Sequence, residues 1–575
     1  MLFRSQLQAF SVTVLGFTVS ADKAWSWGAP PVIAHQEGDT LYLHSGQMGQ
    51  DLRGDLYKKV IHETYHISQG TGDGGIRVRA LGEDKNYSGV NKIVARGGDG
   101  NDVYIIDPEV NVELDIQGED GDDIIQVSSG KSGSVIRGGA GKDVFVGSDV
   151  SGIAYYGDAG DDTFIDGEGG EIIDLGTGKN EIVASGGNDK IYITGGTNTV
   201  DTGRGDDTVF VSLDTYTDLK AREGNDQLVL NTFSSTENIQ LKNHSFIHGD
   251  TIVDFTDNLE LFKVKDTSSN TVLVNSKTES ESWGSTDLSL EASGVVDVQN
   301  AYLAFPDAHL TLVSNGITGT INSSIKDLTI INTGGVDYGD ITIREKDDLN
   351  ILADGRTNGG LYSANGSIDV ELTGVESTLS LISGVIQTAG AGKDILLTAD
   401  DLDFHSGNNR VTGSGKLVIQ TKDLAQNYNI GGAGQSSYGN DLSPGINDAL
   451  NLSMLDLSAL SNGFSLITVG RENTDVVMFI GDIEDATVGL SNFSAKLEDI
   501  AEFYAGTITI AGDVQSSERI SFKSRLAEVR RQNLKDPLGE PDAGVHGREV
   551  AFDLTEQLQL TGWIKGDEKI GRAHV

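Results

Sequence analysis

Three features of the sequence predict an all-β chain, a parallel β-roll followed by a parallel β-solenoid. The first is a register of nine. Between Gly157 and Phe210 one column holds Asp162, Glu171, Asn180, Asp189, Asn198 and Asp207, with Gly160, Gly169, Gly178, Gly187, Gly196 and Gly205 two residues before each. The second is an apolar column two residues after, made of Phe164, Ile173, Ile182, Ile191, Val200 and Val209. The third is a rhythm of short apolar–polar runs that continues after residue 231, punctuated by Gly, Asn and Asp. A Gly-x-Asp-x-apolar unit repeated without a slip describes a coil with identical turns, because its x-apolar-x piece is a strand too short to stand unstacked.

Composition narrows the class. With 42 Lys and Arg against 86 Asp and Glu, the 575-residue chain carries a formal charge of −44. This disfavours nucleic acid and anionic membrane surfaces as partners and favours cations. The absence of Cys excludes disulfides and Cys-based zinc sites. No run has the length of a membrane-spanning helix. Residues 10–21 alternate polar and β-branched residues as a strand does, and are read as that rather than as a signal-peptide core. Residues 2–5 and 570–575 resemble translated sequencing adapters, so the chain is expected to be a window on a longer protein.

Residues 1–94 read as a leader of small antiparallel strands, with runs such as Thr40-Leu41-Tyr42-Leu43 and Ile76-Arg77-Val78-Arg79. Within it His62-Glu63-Thr64-Tyr65-His66 matches H-E-x-x-H, in which two His one helical turn apart hold zinc and the Glu is the general base. That chemistry requires a helix. Here Thr and Ser surround the motif and Gly70, Gly72, Gly74 and Gly75 follow at once. An ordinary strand is expected, with a zinc site as the alternative.

Residues 95–229 carry the repeats. Those at 97–105, 118–126, 138–146 and 157–165 supply Gly97, Gly98, Gly100 and Asp102, then Gly118, Asp120, Gly121 and Asp123, then Gly138, Gly139, Gly141 and Asp143, then Gly157, Gly160 and Asp162. The regular tract adds Glu171, Asn180, Gly187, Asp189, Asn198, Gly203, Gly205 and Asp207, and Asp226 closes the series. These residues are the candidate metal site. Glycine supplies positive-φ turns and lets carbonyl oxygens face inward. The carboxylate adds a hard oxygen ligand of the kind calcium takes six to eight of. Positions eighteen apart fall on one edge, so Asp162 stacks over Asn180 and Asn198, and Glu171 over Asp189 and Asp207; the neutral Asn edge is expected to bind more weakly. Asp and Glu outnumber Lys and Arg here by 28 to 9, and carboxylates about 5 Å apart repel without a cation between them. The segment is therefore expected to fold on binding Ca2+. Arg204-Gly205-Asp206 spells an integrin-binding tripeptide but is read as part of one repeat.

These units resemble the G-G-x-G-x-D-x-U-x nonapeptide of RTX (haemolysin-type) calcium-binding proteins. Residues 230–515 read as a parallel solenoid, with a β-sandwich as the alternative. Within them Gly366-Ser367-Ile368-Asp369-Val370 and Gly392-Lys393-Asp394-Ile395-Leu396 resemble the coil repeats of filamentous-haemagglutinin-like surface proteins. Residues 516–575 form a polar tail in which 521–533 has a loosely helical pattern, read as a solvated helix or loop. The resemblance implies type I secretion and a location outside a Gram-negative cell, as a non-catalytic calcium-rigidified scaffold or adhesin-like stalk. Its partners would be calcium ions and an unidentified host or matrix surface ligand, glycan or receptor. The alternative is the calcium module of a secreted zinc hydrolase with His62, Glu63 and His66 as its remnants. Acids on the coil loops look too scattered for catalysis.

Overall fold

The computed structural model describes residues 11–14, 17–20, 31–46, 62–72, 74–231, 238–256, 258–266, 271–274, 283–299, 301–356, 359–404, 407–430, 449–472, 474–480, 494–510, 513–529, 544–560 and 563–570. The adapter-like residues 2–5 and 571–575 lie outside them. Of residues 10–21, the described part is an antiparallel hairpin of Ser11–Val14 and Phe17–Ser20. The chain divides into two compact units, one of Met1–Asn231 with His244–Lys263, the other of Thr232–Asn243 with Val264–Val575.

In the first unit each turn of the coil gives one strand to each of two parallel stacks. One stack runs Lys92–Asp99, Glu113–Asp120, Val135–Ala140, Ala154–Ala159, Ile172–Asp174, Lys190–Ile193, Thr208–Val211, Gln227–Asn231. The other runs Thr64–Gln69, Val103–Ile106, Ile124–Val127, Val144–Val146, Thr163–Ile165, Lys179–Val183, Thr197–Asp201, Tyr216–Lys220, Thr251–Phe255. Successive turns shorten from 21 residues through 20 and 19 to 18, the spacings of Asp102, Asp123, Asp143, Asp162 and Asn180. The leader starts this coil and is not separate from it. Its hairpins pair antiparallel within themselves, while Thr40–Leu43 and Thr64–Gln69 add in parallel to the two stacks.

The apolar column is the core. Tyr104, Ile125, Phe145, Phe164, Ile173, Ile182, Ile191, Val200, Val209 and Leu228 are all at most 1% exposed. Parallel register puts each one over its equivalent two repeats on, as Phe145 over Phe164 and Ile173 over Ile191. Because such cores are close-packed, Phe164→Ala is expected to cost about 3–5 kcal/mol, read as a lowered denaturant midpoint of the first unit.

The second unit is a solenoid rather than a sandwich, since its strands stack in parallel. Ile341–Glu345 lies on Ile368–Leu372, that on Ile395–Thr398, that on Lys416–Gln420, that on Leu466–Gly470, and that on Ala501–Tyr504. Leu349–Ile351, Thr378–Leu381 and Asp401–Asp403 form a second column, and Gly360–Ser363, Val385–Thr388 and Val411–Thr412 a third. A short α-helix, Met454–Ala459, starts at a Ser453–Asp456 capping box.

The tail corrects an expectation. Arg519–Val529 is a strand, parallel to Ala501–Tyr504 and to Gly544–Leu560. Its register slips between Ser524 and Leu526. Inward residues are therefore Ile520 and Phe522 before the slip and Ala527 after it, and the change of phase interrupts the alternation by which a strand is recognised in sequence. Residues 530–533 of the expected helix or loop lie outside the described residues.

Candidate metal centre

Each repeat loop turns its acid inward, and the column closes into a hydrogen-bonded ladder. On the first edge Glu63 N donates to Asp102 Oδ1 at 2.7 Å, Asp102 N to Asp123 Oδ1 at 2.7 Å and Asp123 N to Asp143 Oδ1 at 2.8 Å. Asp143 N then donates to Asp162 Oδ1 at 2.9 Å, and Asp162 N to Asn180 Oδ1 at 3.0 Å. On the second edge Glu171 N donates to Asp189 Oδ1 and Asp189 N to Asp207 Oδ1, both at 2.8 Å. Asp207 N reaches Asp226 Oδ1 at 3.0 Å, and Asp226 N reaches Glu260 Oε2 at 2.6 Å. The stacking expected from eighteen-residue spacing is present, with a bond that repulsion alone does not anticipate: one oxygen of each Asp rung takes a backbone N–H.

The second oxygen is left over. Oδ2 of Asp123, Asp143, Asp162, Asp189 and Asp207 and both oxygens of Glu171 are buried without a hydrogen-bond partner. Such atoms are costly unless something compensates them. Glycine shapes the space they face. A Cβ on Gly118, Gly138 or Gly157 would overlap Oδ2 of Asp123, Asp143 or Asp162, and the position a Gly118 Cβ would take is also 2.8 Å from the carbonyl oxygen of Gly138. At Gly97 the same atom would meet Asp102 Oδ2 and Gly118 O. Carboxylate and carbonyl oxygens thus border one cradle that a side chain would fill. An oxygen-only donor set of this kind fits a hard divalent cation.

The remaining predicted glycines shape the turns. Gly98, Gly100, Gly121, Gly139, Gly141, Gly160, Gly187, Gly203 and Gly205 all have positive φ. Asp120 differs from the other acids. It is exposed, and its carbonyl accepts Gly100 N at 2.8 Å. On the Asn edge, Asn180 Nδ2 donates to Asn198 Oδ1 at 3.1 Å and Asn198 Nδ2 to Gly195 O at 2.8 Å, so these rungs are neutral and bonded among themselves.

Burial shifts the acids. It pushes Asp143 and Asp189 up to about 8, Asp123 and Asp207 up to about 7 and Asp162 up to about 6. Backbone N–H donors pull each down, and neighbouring carboxylates push each up. Without a counter-charge Asp143 and Asp189 are therefore mostly protonated at neutral pH, and a bound cation would favour the ionised form of each rung.

Contrary to the expectation of scattered acids, Asp166, Glu171 and Asp189 converge. Each is buried, and ligand atoms of all three lie within 4.8 Å of one another, a group that can hold a metal ion. Sequence reasoning misses Asp166, although a signal is there: it occupies the first position of its repeat, where Gly97, Gly118, Gly138 and Gly157 stand in other repeats. It also misses Glu63 and Glu260 as rungs, because the spacing to each (39 and 34 residues) breaks the period.

The H-E-x-x-H residues sit at and before a strand, as expected, and engage separate partners. Asn101 N donates to His62 Nδ1 at 2.6 Å, Gly46 N donates to Glu63 Oε2 at 2.9 Å, and His66 Nε2 is 2.9 Å from Asp107 Oδ1. Arg204-Gly205-Asp206 belongs to the coil. Arg204 pairs with Glu168 at 3.0 Å and Asp206 Oδ1 accepts Asn225 N at 2.9 Å.

Fold and site together define a repeat protein of stacked parallel strands with buried acidic ladders and a buried Asp/Glu triad that can hold a metal ion. Compared with protein-family models, curated proteins and solved structures, the chain has no match.

Proposed function

We propose that the chain is a calcium-binding, non-catalytic repeat module of a secreted or surface-displayed bacterial protein, a scaffold or adhesin-like stalk whose coil folds on binding extracellular Ca2+. The observation that carries this reading is the row of buried Oδ2 atoms without partners at Asp123, Asp143 and Asp162 and at Asp189 and Asp207. Gly118, Gly138 and Gly157 stand against Oδ2 of Asp123, Asp143 and Asp162, and at Gly118 and Gly157 a carbonyl oxygen borders the same space. The likeness of the repeats to RTX nonapeptides supports calcium as the ion, and with it type I secretion. Extracellular calcium modules bind at about 0.1–1 mM, so a chain of this kind stays unfolded where calcium is scarce and sets outside the cell.

Calcium titration of the metal-free full chain tests it, followed by calorimetry and by circular dichroism. Saturable binding of several ions with half-saturation at or below about 1 mM is expected, with a gain of strand signal over the same range. Failure to bind up to about 10 mM, well beyond that range, would contradict the reading.

A further inference from the structure

We infer that Asp166, Glu171 and Asp189, with the hydroxyl of Tyr155, form a cation site that shares two rungs of the second edge and is filled before the other rungs. The inference rests on the calcium reading above and adds a rank order to it.

An ordinary rung offers little. Asp143 and Asp162 each use Oδ1 on a backbone N–H and contribute one open oxygen apiece. The triad offers more. Asp166 Oδ1 accepts Gly167 N at 2.6 Å and Asp189 Oδ1 accepts Glu171 N at 2.8 Å. Asp166 Oδ2, Glu171 Oε1, Glu171 Oε2 and Asp189 Oδ2 are buried with no hydrogen-bond partner. Four open carboxylate oxygens therefore meet where a rung pair supplies two.

A second observation points to the same place. The Tyr155 hydroxyl is fully buried, with the Ser148 hydroxyl as its hydrogen-bonding neighbour and no hydrogen bond to the carboxylates. Glu171 and then Asp166 are the charges that most disfavour its ionisation, after burial itself, with the Ser148 hydroxyl acting weakly the other way. A neutral phenol oxygen is thus held within electrostatic reach of the carboxylates. Its ring is fixed against Phe164 at 4.7 Å and Phe145 at 6.1 Å between centroids.

Three carboxylates meeting at one point cannot all stay ionised without a counter-charge. Four carboxylate oxygens and one hydroxyl approach the six to eight oxygens that calcium takes, and calcium affinity is tuned by the number of charged ligands. The site follows from one departure from the repeat, a carboxylate at 166 where glycine stands in four other repeats. Reverting that departure is the cleanest test.

Metal-free full chains of the parent, Asp166→Gly, Asp166→Asn, Tyr155→Phe and Asp143→Asn are titrated with calcium against an indicator of known affinity. The parent is expected to show a tight first equivalent followed by weaker binding. Asp166→Gly should weaken that first event by about tenfold or more, with the weaker phase retained. Asp166→Asn, which keeps the side chain's size, should weaken it too. Tyr155→Phe should weaken it less, and Asp143→Asn should leave it in place while reducing the later phase. If the parent and both Asp166 variants bind calcium with superimposable isotherms, the separate site is overturned and the ladder reading stands. If the parent binds none, the ladder reading fails and takes this site with it. Should Asp166→Gly not fold, Asp166→Asn decides in the same way.

Discussion

Metal-free chain is expected to lose stability as pH rises from about 4 to about 8, and calcium-loaded chain to gain it over the same interval. The sign follows from the direction of the shifts. Asp123, Asp143, Asp162, Asp189 and Asp207 all titrate above the ordinary 3.8 in the folded coil, at about 7, 8, 6, 8 and 7. Folded chain without metal therefore binds more protons than unfolded chain. Its stability is greatest below the unfolded value and drains away as pH passes through the folded ones. Asp162, with the smallest shift of the five, accounts for up to about 3 kcal/mol; that is a large share of a domain's usual margin. With calcium in the cradles the ligands must be deprotonated, so acid now competes with the ion and the slope reverses. Thermal unfolding of dialysed protein, with and without millimolar calcium, reads both curves; dialysis is preferable to chelators, which weaken in acid. The net charge of −44 pushes the metal-free curve the same way through surface repulsion. High monovalent salt separates the two causes, because it screens exposed charges and leaves buried ones largely untouched. Parallel slopes with and without calcium would contradict the assignment of the ladder as its binding site.

The ladder is largely legible in the amino-acid sequence because it depends on period. A carboxylate or amide every nine residues with an apolar residue two further on leaves no other packing for Asp162 to Asp207. What stays hidden depends on events that periodicity does not encode. Asp166 looks like one more acid in an acidic stretch until the turn places it against Glu171. Glu63, inside an H-E-x-x-H match that reads as an ordinary strand, forms the first rung, joined to Asp102 across a separation of 39 residues. The strand at Arg519–Val529 reads as a helix or loop because its apolar residues do not alternate along its whole length; the slip in register between Ser524 and Leu526 breaks that alternation. The solenoid is visible as a rhythm of strands. Its three columns are not, since parallel neighbours such as Ile341 and Ile368 are 27 residues apart with two other strands between.

Gly141→Ala is expected to destabilise the calcium-loaded first unit by at least about 3 kcal/mol, as the sum of two separate penalties. The first is conformational. Gly141 sits at φ +140°, a region nearly closed to residues with a Cβ. The second is steric and belongs to the stack: a Cβ there would overlap the carbonyl oxygen of Gly121, backbone that cannot swing aside. Gly121 stands in the same relation to Gly100, and Gly160 to Gly141, so a shift at one turn is passed to its neighbours. Gly133→Ala separates the two penalties. Gly133 also has positive φ, +90°, but nothing lies within 4 Å of its would-be Cβ, and it should show the conformational part alone, about 1 kcal/mol. Forcing the turns at 121 and 141 apart also stretches the 2.8 Å bond from Asp123 N to Asp143 Oδ1. Gly141→Ala should therefore lose calcium affinity along with stability, whereas Gly133→Ala should keep it. Denaturant midpoints and calcium isotherms of the two variants read both effects. Equal losses from the two would mean that the close approach of successive turns contributes nothing, and that the spacing of the rungs is set elsewhere in the coil.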